Sequence, residues 1–349
     1  MAMSPQALIV NDILENADLN GASLAGTDFS NIRFVNVSLQ GADLSNANFT
    51  HAQFDDCDLS GATLNGASLA GATLTGCKLA GTQLLQASMS TASFNQVEFQ
   101  NANLREADLS ACLVDACRLD GADLQGANLY CLRTSNCSMN GTLLQNANLS
   151  RWMALETDLL AVIFGGNDLK QAMLMKANLA GQRFPDCDLT LTLFIEANLQ
   201  GADFSGMTLS KTQFAQSSLR GANFSGVTAD SVNFALADLS AANLSDSSFD
   251  MCDFSRAILN QATVTGSRWH ITPLAGVQAK GSIWDGAQLE LCDFSHATLD
   301  DASLRHVALK LCNLHKLSEA QTIWDGATFN NTRRTDAARE KAENWQPPA

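Results

Sequence analysis

Large apolar side chains recur at every fifth residue, in one phase, from Ile9 to Phe329. Leu14, Leu19, Leu24, Phe29, Phe34, Leu39, Leu44 and Phe49 open the series, and later positions ending in 4 or 9 continue it. Of roughly 65 such slots, only Thr134, Ala154, Ala229, Ala279 and Glu319 lack a large apolar side chain. A helix repeats its apolar positions with a period near 3.6 and a strand with a period of 2, so a period of five is neither. With the slot written as i, position i−2 is small (Ala17, Ala22, Ala42, Ala47, Ala52), i−1 is often Asp or Asn, i+1 is polar, and i+2 is often Gly or Asn. Such a unit is a short segment with two inward residues followed by a turn, because Gly, Asn, Asp and Ser tolerate turn geometry. No insertion shifts the phase, which leaves no place for a linker. The expected organisation is one continuous solenoid domain over residues 9–330, an N-terminal cap over 1–8, and a C-terminal capping helix with a tail over 331–349.

The segments Ala-Asp-Leu-Asn-Gly (17–21), Ala-Asp-Leu-Ser-Asn (42–46), Ala-Asn-Leu-Gln-Gly (197–201) and Ala-Asp-Phe-Ser-Gly (202–206) resemble the A(D/N)LXX motif of the pentapeptide-repeat family. The resemblance covers about nine-tenths of the chain. It implies an all-β fold, a right-handed quadrilateral parallel β-helix of about 16 coils, in which four pentapeptides make one turn and residues twenty apart stack. The sequence tests the stacking independently. Phe34, Phe54, Phe94, Phe194, Phe214, Phe234, Phe254 and Phe294 share one face, and the i+2 column of the next face reads Gly21, Gly41, Gly61, Gly81, Gly121, Gly141, Gly181, Gly201, Gly221. Sixteen coils at a strand spacing of about 4.8 Å predict a rod roughly 75–80 Å long. One coil alone cannot offset its ordering entropy, so both ends need covering. Ala7-Leu8-Ile9-Val10 is expected to cover one end. At the other, Thr335 is expected to cap a short helix whose Ala338, Ala342 and Trp345 lie over the last turn.

The ten cysteines change little in this picture. Nine (Cys57, Cys77, Cys112, Cys117, Cys137, Cys187, Cys252, Cys292, Cys312) occupy the i−2 position and stand in for alanine as small buried thiols, and only Cys131 falls elsewhere. The spacing of twenty in Cys57/Cys77, Cys117/Cys137 and Cys292/Cys312 puts bridging within reach, but reduced thiols are the expectation for a cytosolic chain. His51, His270, His296, His306 and His315 show no metal-ligand spacing, although stacking brings His296 and His315 together. Neither a nucleophile with its base nor a phosphate-binding loop can be assembled with any specificity. No catalytic, cofactor-binding or metal site is therefore expected, and the chain is read as not an enzyme. The start of the sequence has neither a basic segment nor a long apolar run, and no stretch is long enough to span a membrane. The expected location is the cytoplasm, with export by a dedicated machine left open and no membrane partner.

The net charge of −15 raises a second possibility. The quinolone-resistance members of the family resemble DNA in shape and charge and bind DNA gyrase. Duplex DNA, however, carries one charge per roughly 1.7 Å of axis, whereas this chain would carry one per about 5 Å, shared among four faces. Some thirteen aspartates, among them Asp18, Asp28, Asp43, Asp58, Asp108 and Asp123, are simply the i−1 residue of the motif. Direct nucleic-acid binding is not expected.

Departures from the pattern should mark function grafted onto a regular scaffold. Trp152 takes a position meant for a small residue while Ala154 takes the neighbouring large slot, and Leu132/Thr134 repeats the exchange. Asn167 and Gln182 place polar groups at inward positions. On the outside of this stretch Met153, Leu155, Met173, Met175, Leu193 and Ile195 are apolar where other repeats are polar, with Leu160, Ile163 and Leu191 at the margin and Arg133, Arg151 and Lys176 around them. They are read as a patch that binds a partner protein. A second column, Met251, Ile271, Leu291 and Leu311, suggests self-association, a homodimer through the C-terminal end. The function expected is a non-catalytic interaction scaffold or adaptor of bacterial type, with a secreted effector or secretion accessory among its forms; the gyrase-binding DNA mimic is the alternative.

Overall fold

The computed structural model describes residues 9–345 and is a parallel β-solenoid of about 16 coils with one short helix. Position i−2 and the slot i both point inward. Ala42, Leu44, Ala47, Phe49, Ala52 and Phe54 have no exposed surface. Residues twenty apart stack, as Phe34 on Phe54 with ring centroids 4.5 Å apart and Phe214 on Phe234 at 5.1 Å.

Each coil is bonded to the next through its backbone. Leu39 N–H donates to the Asp58 carbonyl at 2.7 Å, Gly41 N–H to that of Ser60 at 3.0 Å, and Asp43 N–H reaches the other way to Ala22 at 2.9 Å. Many corners close with a three-residue step, Ala42 N–H to Leu39 O and Ala47 N–H to Leu44 O, both 3.0 Å. The residue before the closing amide has positive φ, +62° at Gly41 and +56° at Asn46. This is the turn class that requires a left-handed residue at its third position, which explains Gly and Asn at i+2. At Gly66 a Cβ would also sit 2.6 Å from Asn46 Oδ1 in the coil before.

The acidic i−1 residue has a structural task. Asp28 Oδ1 accepts the Ser30 amide at 3.0 Å, Asp43 Oδ1 accepts the amide and hydroxyl of Ser45 at 3.1 and 2.7 Å, and Asn48 Oδ1 accepts the Thr50 amide at 3.1 Å. Asn and Asp thus serve alike, because both offer an oxygen two residues ahead of an otherwise unpaired corner amide. They also connect coils, Asn128 Nδ2 donating to Asp108 at 2.9 Å and Asn148 Nδ2 to Asn128 at 3.1 Å. The Ser30 amide holds the Asp28 carboxyl below the usual carboxylate range, and the Ser45 hydroxyl and amide do the same for Asp43.

The chain divides into two compact units, Met1–Ala177 with Phe184–Asp188, and Asn178–Arg183 with Leu189–Ala349. The first contains eight three-residue parallel strands in register: β1 (Ile13–Glu15), β2 (Arg33–Val35), β3 (Gln53–Asp55), β4 (Thr73–Thr75), β5 (Ser93–Asn95), β6 (Leu113–Asp115), β7 (Arg133–Ser135) and β8 (Met153–Leu155). The second contains seven: β9 (Thr208–Ser210), β10 (Thr228–Asp230), β11 (Ser248–Asp250), β12 (Arg268–His270), β13 (Gln288–Glu290), β14 (Ala308–Lys310) and β15 (Thr328–Asn330), followed by helix α1 (Ala337–Glu343). The five-residue register continues through both, with Leu179, Phe184 and Leu189 buried.

All ten cysteines are free thiols, and every one except Cys131 is buried. The i−2 thiols donate to carbonyls of the preceding coil, as Cys112 does to Met89 O at 2.9 Å; Thr142 and Ser247 do the same with hydroxyls. Burial pushes the Cys112 and Cys252 thiols up to about 12.

The C-terminal end differs from expectation. Asp336, not Thr335, caps α1, its carboxylate accepting the Ala338 and Arg339 amides at 2.8 and 3.0 Å. The Thr335 hydroxyl instead accepts the Lys316 amide at 3.2 Å, and a carboxylate is the stronger acceptor at a helix N-terminus. The helix buries no residue and Trp345 is 69% exposed, so Ala338, Ala342 and Trp345 do not lie over the last coil. What holds α1 is polar and is described below. At the other end Ala7 and Leu8 lie outside the described residues, Ile9 is half-buried and Val10 is 65% exposed.

A carboxyl whose folded pKa is depressed stabilises the fold above its unfolded value, 3.8 for aspartate, and that contribution is lost as pH falls through the folded value. With Asp28, Asp43 and Asp203 all lowered, the melting temperature is expected to be flat above pH 5 and to fall steeply below about 3.8. Asp43→Asn should shift that acid limb without lowering stability at neutral pH, and Asp43→Ala should lower both. Melts followed by circular dichroism from pH 2 to pH 7 check this.

Candidate interaction surface

The core beneath the irregular stretch of the first unit is repacked around an indole. Trp152 is fully buried, Ala154 3% exposed, and Leu132 and Thr134 are both inward. The Trp152 N–H donates to the Thr134 hydroxyl at 3.2 Å, and the Thr157 hydroxyl lies 3.1 Å from the same oxygen. The two departures are thus one event. A tryptophan displaced into a small position needs a hydrogen-bond acceptor, and the slot one coil earlier supplies it by becoming threonine. Asn167 is likewise satisfied, donating to the carbonyls of Leu144 and Ala147 and accepting the Gly165 amide at 2.8 Å.

Above this core β7 pairs with β8, Arg133 opposite Met153, and Met153 is bridged to Met173. The Ala154 and Met173 amides tie the two coils at 3.1 and 2.7 Å, to Met173 O and Trp152 O. Leu155 is 50% and Met175 39% exposed, Met153 and Met173 are half-buried, and Leu160 and Ile163 are exposed at 47% and 44%. The first unit therefore brings four of the six sequence-derived residues onto adjacent coils. Leu193 and Ile195 belong to the second unit, where both are half-buried and Leu193 bridges Gln213; Leu191 there is exposed. The structure adds two residues that the sequence reading missed. Leu113, 47% exposed, stands opposite Arg133 in β6, and Tyr130, 39% exposed, accepts from Arg151 at 3.1 Å under a cation–π contact of 5.8 Å. Twenty-residue arithmetic from Arg133 would have found Leu113.

The second unit has two polar constellations. On its sheet Asp230, Asp250, His270, Glu290, Lys310 and Asn330 form one outward column in strict register. His270 Nδ1 lies 2.6 Å from Asp250 Oδ1 and Lys310 Nζ 2.6 Å from Glu290 Oε1; the Lys310 bond holds Glu290 below the usual carboxylate range. Arg268, Gln288, Ala308 and Gly286 flank a hollow of about 590 Å³ beside this column. Met251, Ile271, Leu291 and Leu311 stand at the adjoining corner, all 45–51% exposed.

The other constellation tethers α1. Glu343 Oε2 is 3.0 Å from Lys316 Nζ, 3.3 Å from His315 Nε2 and 3.4 Å from His296 Nε2, and Arg339 holds its other oxygen at 2.8 Å. His296, His315 and Glu343 offer donor atoms within 4.8 Å of one another, the spacing of a metal site. The proton arrangement opposes that use. His315 Nδ1 accepts the Asp336 amide at 3.1 Å, so the neutral ring carries its hydrogen on Nε2, the atom facing Glu343. A ligand needs that nitrogen bare, and metal-bound histidines donate rather than accept through the other nitrogen. The cluster is a latch between the last coils and α1. Lys316, then His315 and Arg339, pull the Glu343 carboxyl down to about 2.

The corner turns, the Asx bonds and the stacked slots are those of one family. Models of the pentapeptide repeat region match residues 11–84 and 157–234, and models of pentapeptide repeats (8 copies) match 74–110, 111–151, 237–268 and 274–315. The chain belongs to the pentapeptide-repeat family. Among solved structures, this pentapeptide-repeat protein is similar to HetL, a pentapeptide repeat protein involved in heterocyst differentiation regulation from the cyanobacterium Nostoc sp. strain PCC 7120, at 22% identity over 68% of this chain and 91% of that one, with a TM-score of 0.22. It is similar to QnrB1, a plasmid-mediated fluoroquinolone resistance protein, at 20% identity over 62% and 92%, with a TM-score of 0.23. Rfr23 from the cyanobacterium Cyanothece 51142 aligns at 21% identity over 45% and 95%, also with a TM-score of 0.23. No curated protein matches the sequence. Among the described residues no helix is long and apolar enough to cross a membrane.

Two outcomes follow for this pentapeptide-repeat protein. Thr134→Val strands the buried Trp152 N–H and should cost about 1–3 kcal/mol in denaturant melts, much of it recovered by adding Trp152→Phe. Glu343, at about 2 against an ordinary 4.5, contributes tethering that is complete above about 4.5 and is lost as pH falls towards 2. Protection of the α1 amides against hydrogen exchange, taken relative to the intrinsic rate at each pH, should accordingly be high at pH 5, fall below pH 3, and be low at all pH values in Glu343→Gln.

Proposed function

We propose that this protein is a non-catalytic interaction scaffold of bacterial, cytoplasmic type. It binds a partner protein through the Met153, Leu155, Met173 and Met175 surface of its first unit. The observation that carries the reading is the exposure of Leu155 and Met175, at 50% and 39%, at positions that are polar in most other repeats. Together with Leu160, Ile163 and Leu113 they amount to a few hundred Å² of apolar surface, the size at which a patch on a soluble protein marks a contact. Methionine adapts its shape to a partner at little cost, and the rigid, hydrogen-bonded coil beneath removes the ordering penalty that a loop would bring to binding. Leu193 and Ile195 are half-buried in the second unit and contribute less surface each.

The acidity supports this reading better than DNA mimicry. The i−1 aspartates spend an oxygen on corner amides, and several are also paired with arginine, as Arg105 with Asp123 at 3.4 Å, Arg183 with Asp203 at 3.1 Å and Arg220 with Asp238 at 3.1 Å. The charge is a consequence of turn chemistry distributed round every coil.

The test is a pull-down from the native cell with the wild type and with the combined Met153→Asp, Met173→Asp and Met175→Asp variant, its folding verified by circular dichroism. Loss of specific partners in the variant is expected, and an unchanged partner list would reject the surface. A gyrase supercoiling assay runs in parallel. Inhibition at micromolar protein or below would favour the mimic.

A further inference from the structure

The second-unit sheet carries two patterns with a common centre. Its outward charged column reads Asp230, Asp250, His270, Glu290, Lys310, Asn330, each residue directly opposite the next. Reversed about the midpoint between the His270 and Glu290 rows, it becomes its own complement: Asp250 meets Lys310, His270 meets Glu290, and Asp230 meets Asn330. A centre between the Glu290 and Lys310 rows also sets opposite charges together, Glu290 on Lys310 and His270 on Asn330, but at the corner it would leave Met251 and Ile271 without an apolar partner; two other centres fail on charge. A centre on the Glu290 row sets Glu290 on itself and His270 on Lys310, while one on the His270 row sets Asp250 on Glu290. The parallel column Ser248, Arg268, Gln288, Ala308 is also tolerant of the same reversal, with Arg268 meeting Gln288.

The corner beside it repeats the centre in apolar form. Met251, Ile271, Leu291 and Leu311 are 51%, 45%, 45% and 45% exposed, and the run is bounded by Ser231 and Asn331. Its midpoint is again between the 271 and 291 rows. All four adopt the left-handed conformation, with φ of 50°, 48°, 56° and 56°, where Gly, Asn or Asp is the favoured residue and a β-branched isoleucine is strained. Four side chains that are unfavourable at this backbone and unfavourable in water nonetheless occupy consecutive coils. The left-handed backbone belongs to the corner turn itself and recurs with other side chains, as at Thr91, Leu191 and Leu236; what distinguishes this column is that four exposed apolar side chains follow one another in successive coils.

We propose that this face is an isologous interface between two copies of the chain. The copies lie antiparallel, related by a two-fold axis that runs along the strand direction and passes between β12 and β13. Face-to-face packing about such an axis lays each outward column against its own reverse, the operation under which both patterns match. Asp250 and Lys310 then pair twice across the dimer, as do His270 and Glu290, extending the pairs already made within each copy. Met251 packs on Leu311 of the second copy and Ile271 on Leu291. Seven strands at about 4.8 Å make a face only about 34 Å long, at the small end for specific association, so the dimer is weak and reversible. The pairing stands independently of the first-unit patch, whose failure would leave it untouched.

The test uses the full chain in sedimentation velocity across about 1–200 µM, the range suited to an interface of this size. The wild type dimerises with rising concentration. Asp250→Lys sets lysine on Lys310 of the second copy, and Lys310→Asp sets aspartate on Asp250, so each variant alone associates at least about tenfold more weakly. An equimolar mixture of the two variants restores the dimer, because the unlike copies are complementary at every charged row. Ile271→Asn weakens association while leaving the melting temperature equal to or above that of the wild type. A wild type that is monomeric throughout overturns the proposal, as do single variants that dimerise normally. A mixture that stays monomeric overturns the antiparallel register.

Discussion

Everything in this protein hangs on the hydrogen bonds between successive coils. Strands of three residues cannot stand alone, and a single coil buries too little to offset its lost entropy. What makes the coil stable is that amides point alternately up and down to carbonyls in the coils on either side, as Leu39 does to Asp58 and Asp43 to Ala22. Because those bonds demand the same backbone at the same height in every coil, the register runs unbroken along this chain. The five-residue period is the imprint of that requirement on the sequence.

Two consequences follow for the side chains. Inward positions must fill a constant cross-section, so volume is conserved within a coil and between neighbours. Trp152 could enter a small position only because Ala154 vacated the adjacent large one, and its N–H could be buried only because Thr134 supplied an acceptor. The same rule recurs in the second unit, where the Trp269 and Trp284 N–H groups donate to Ser267 and Ser282 at 2.7 Å. Outward positions at corners must satisfy leftover amides, which is done by Asp and Asn. The acidity of the chain is thus the electrostatic by-product of building corners, and function is to be sought where the outward chemistry departs from corner building.

Those departures are the apolar surface of the first unit and the charged and apolar columns of the second. Both place costly residues on a rigid frame. Exposed Leu155 and Met175 gain nothing from the fold, and Ile271 at φ 48° works against it. Exposed apolar side chains gathered on a rigid frame are the physical pointer to a contact with another surface. The hydrophilic latch at Glu343 makes a contrast. Its strained electrostatics are fully used within the chain, holding a helix that has no buried face.

The sequence by itself determined the slot register, the inward and outward faces, the stacking of residues twenty apart, and the placement of nine cysteines in the core. All of these follow from a local period, and a period is a property of the chain alone. It also marked Met153, Leu155, Met173 and Met175 as unusual, since polarity at a known outward position needs no coordinates to judge. The tertiary structure decided what depends on atoms meeting across coils or at an end. Only there did Thr134 become the partner of Trp152, Leu113 and Tyr130 join the apolar surface, and the expected capping face of Ala338, Ala342 and Trp345 turn out to be exposed. A helix cap and a side-chain tether are choices among competing donors at one place, Asp336 over Thr335 and Glu343 over Trp345, and no repeat encodes them.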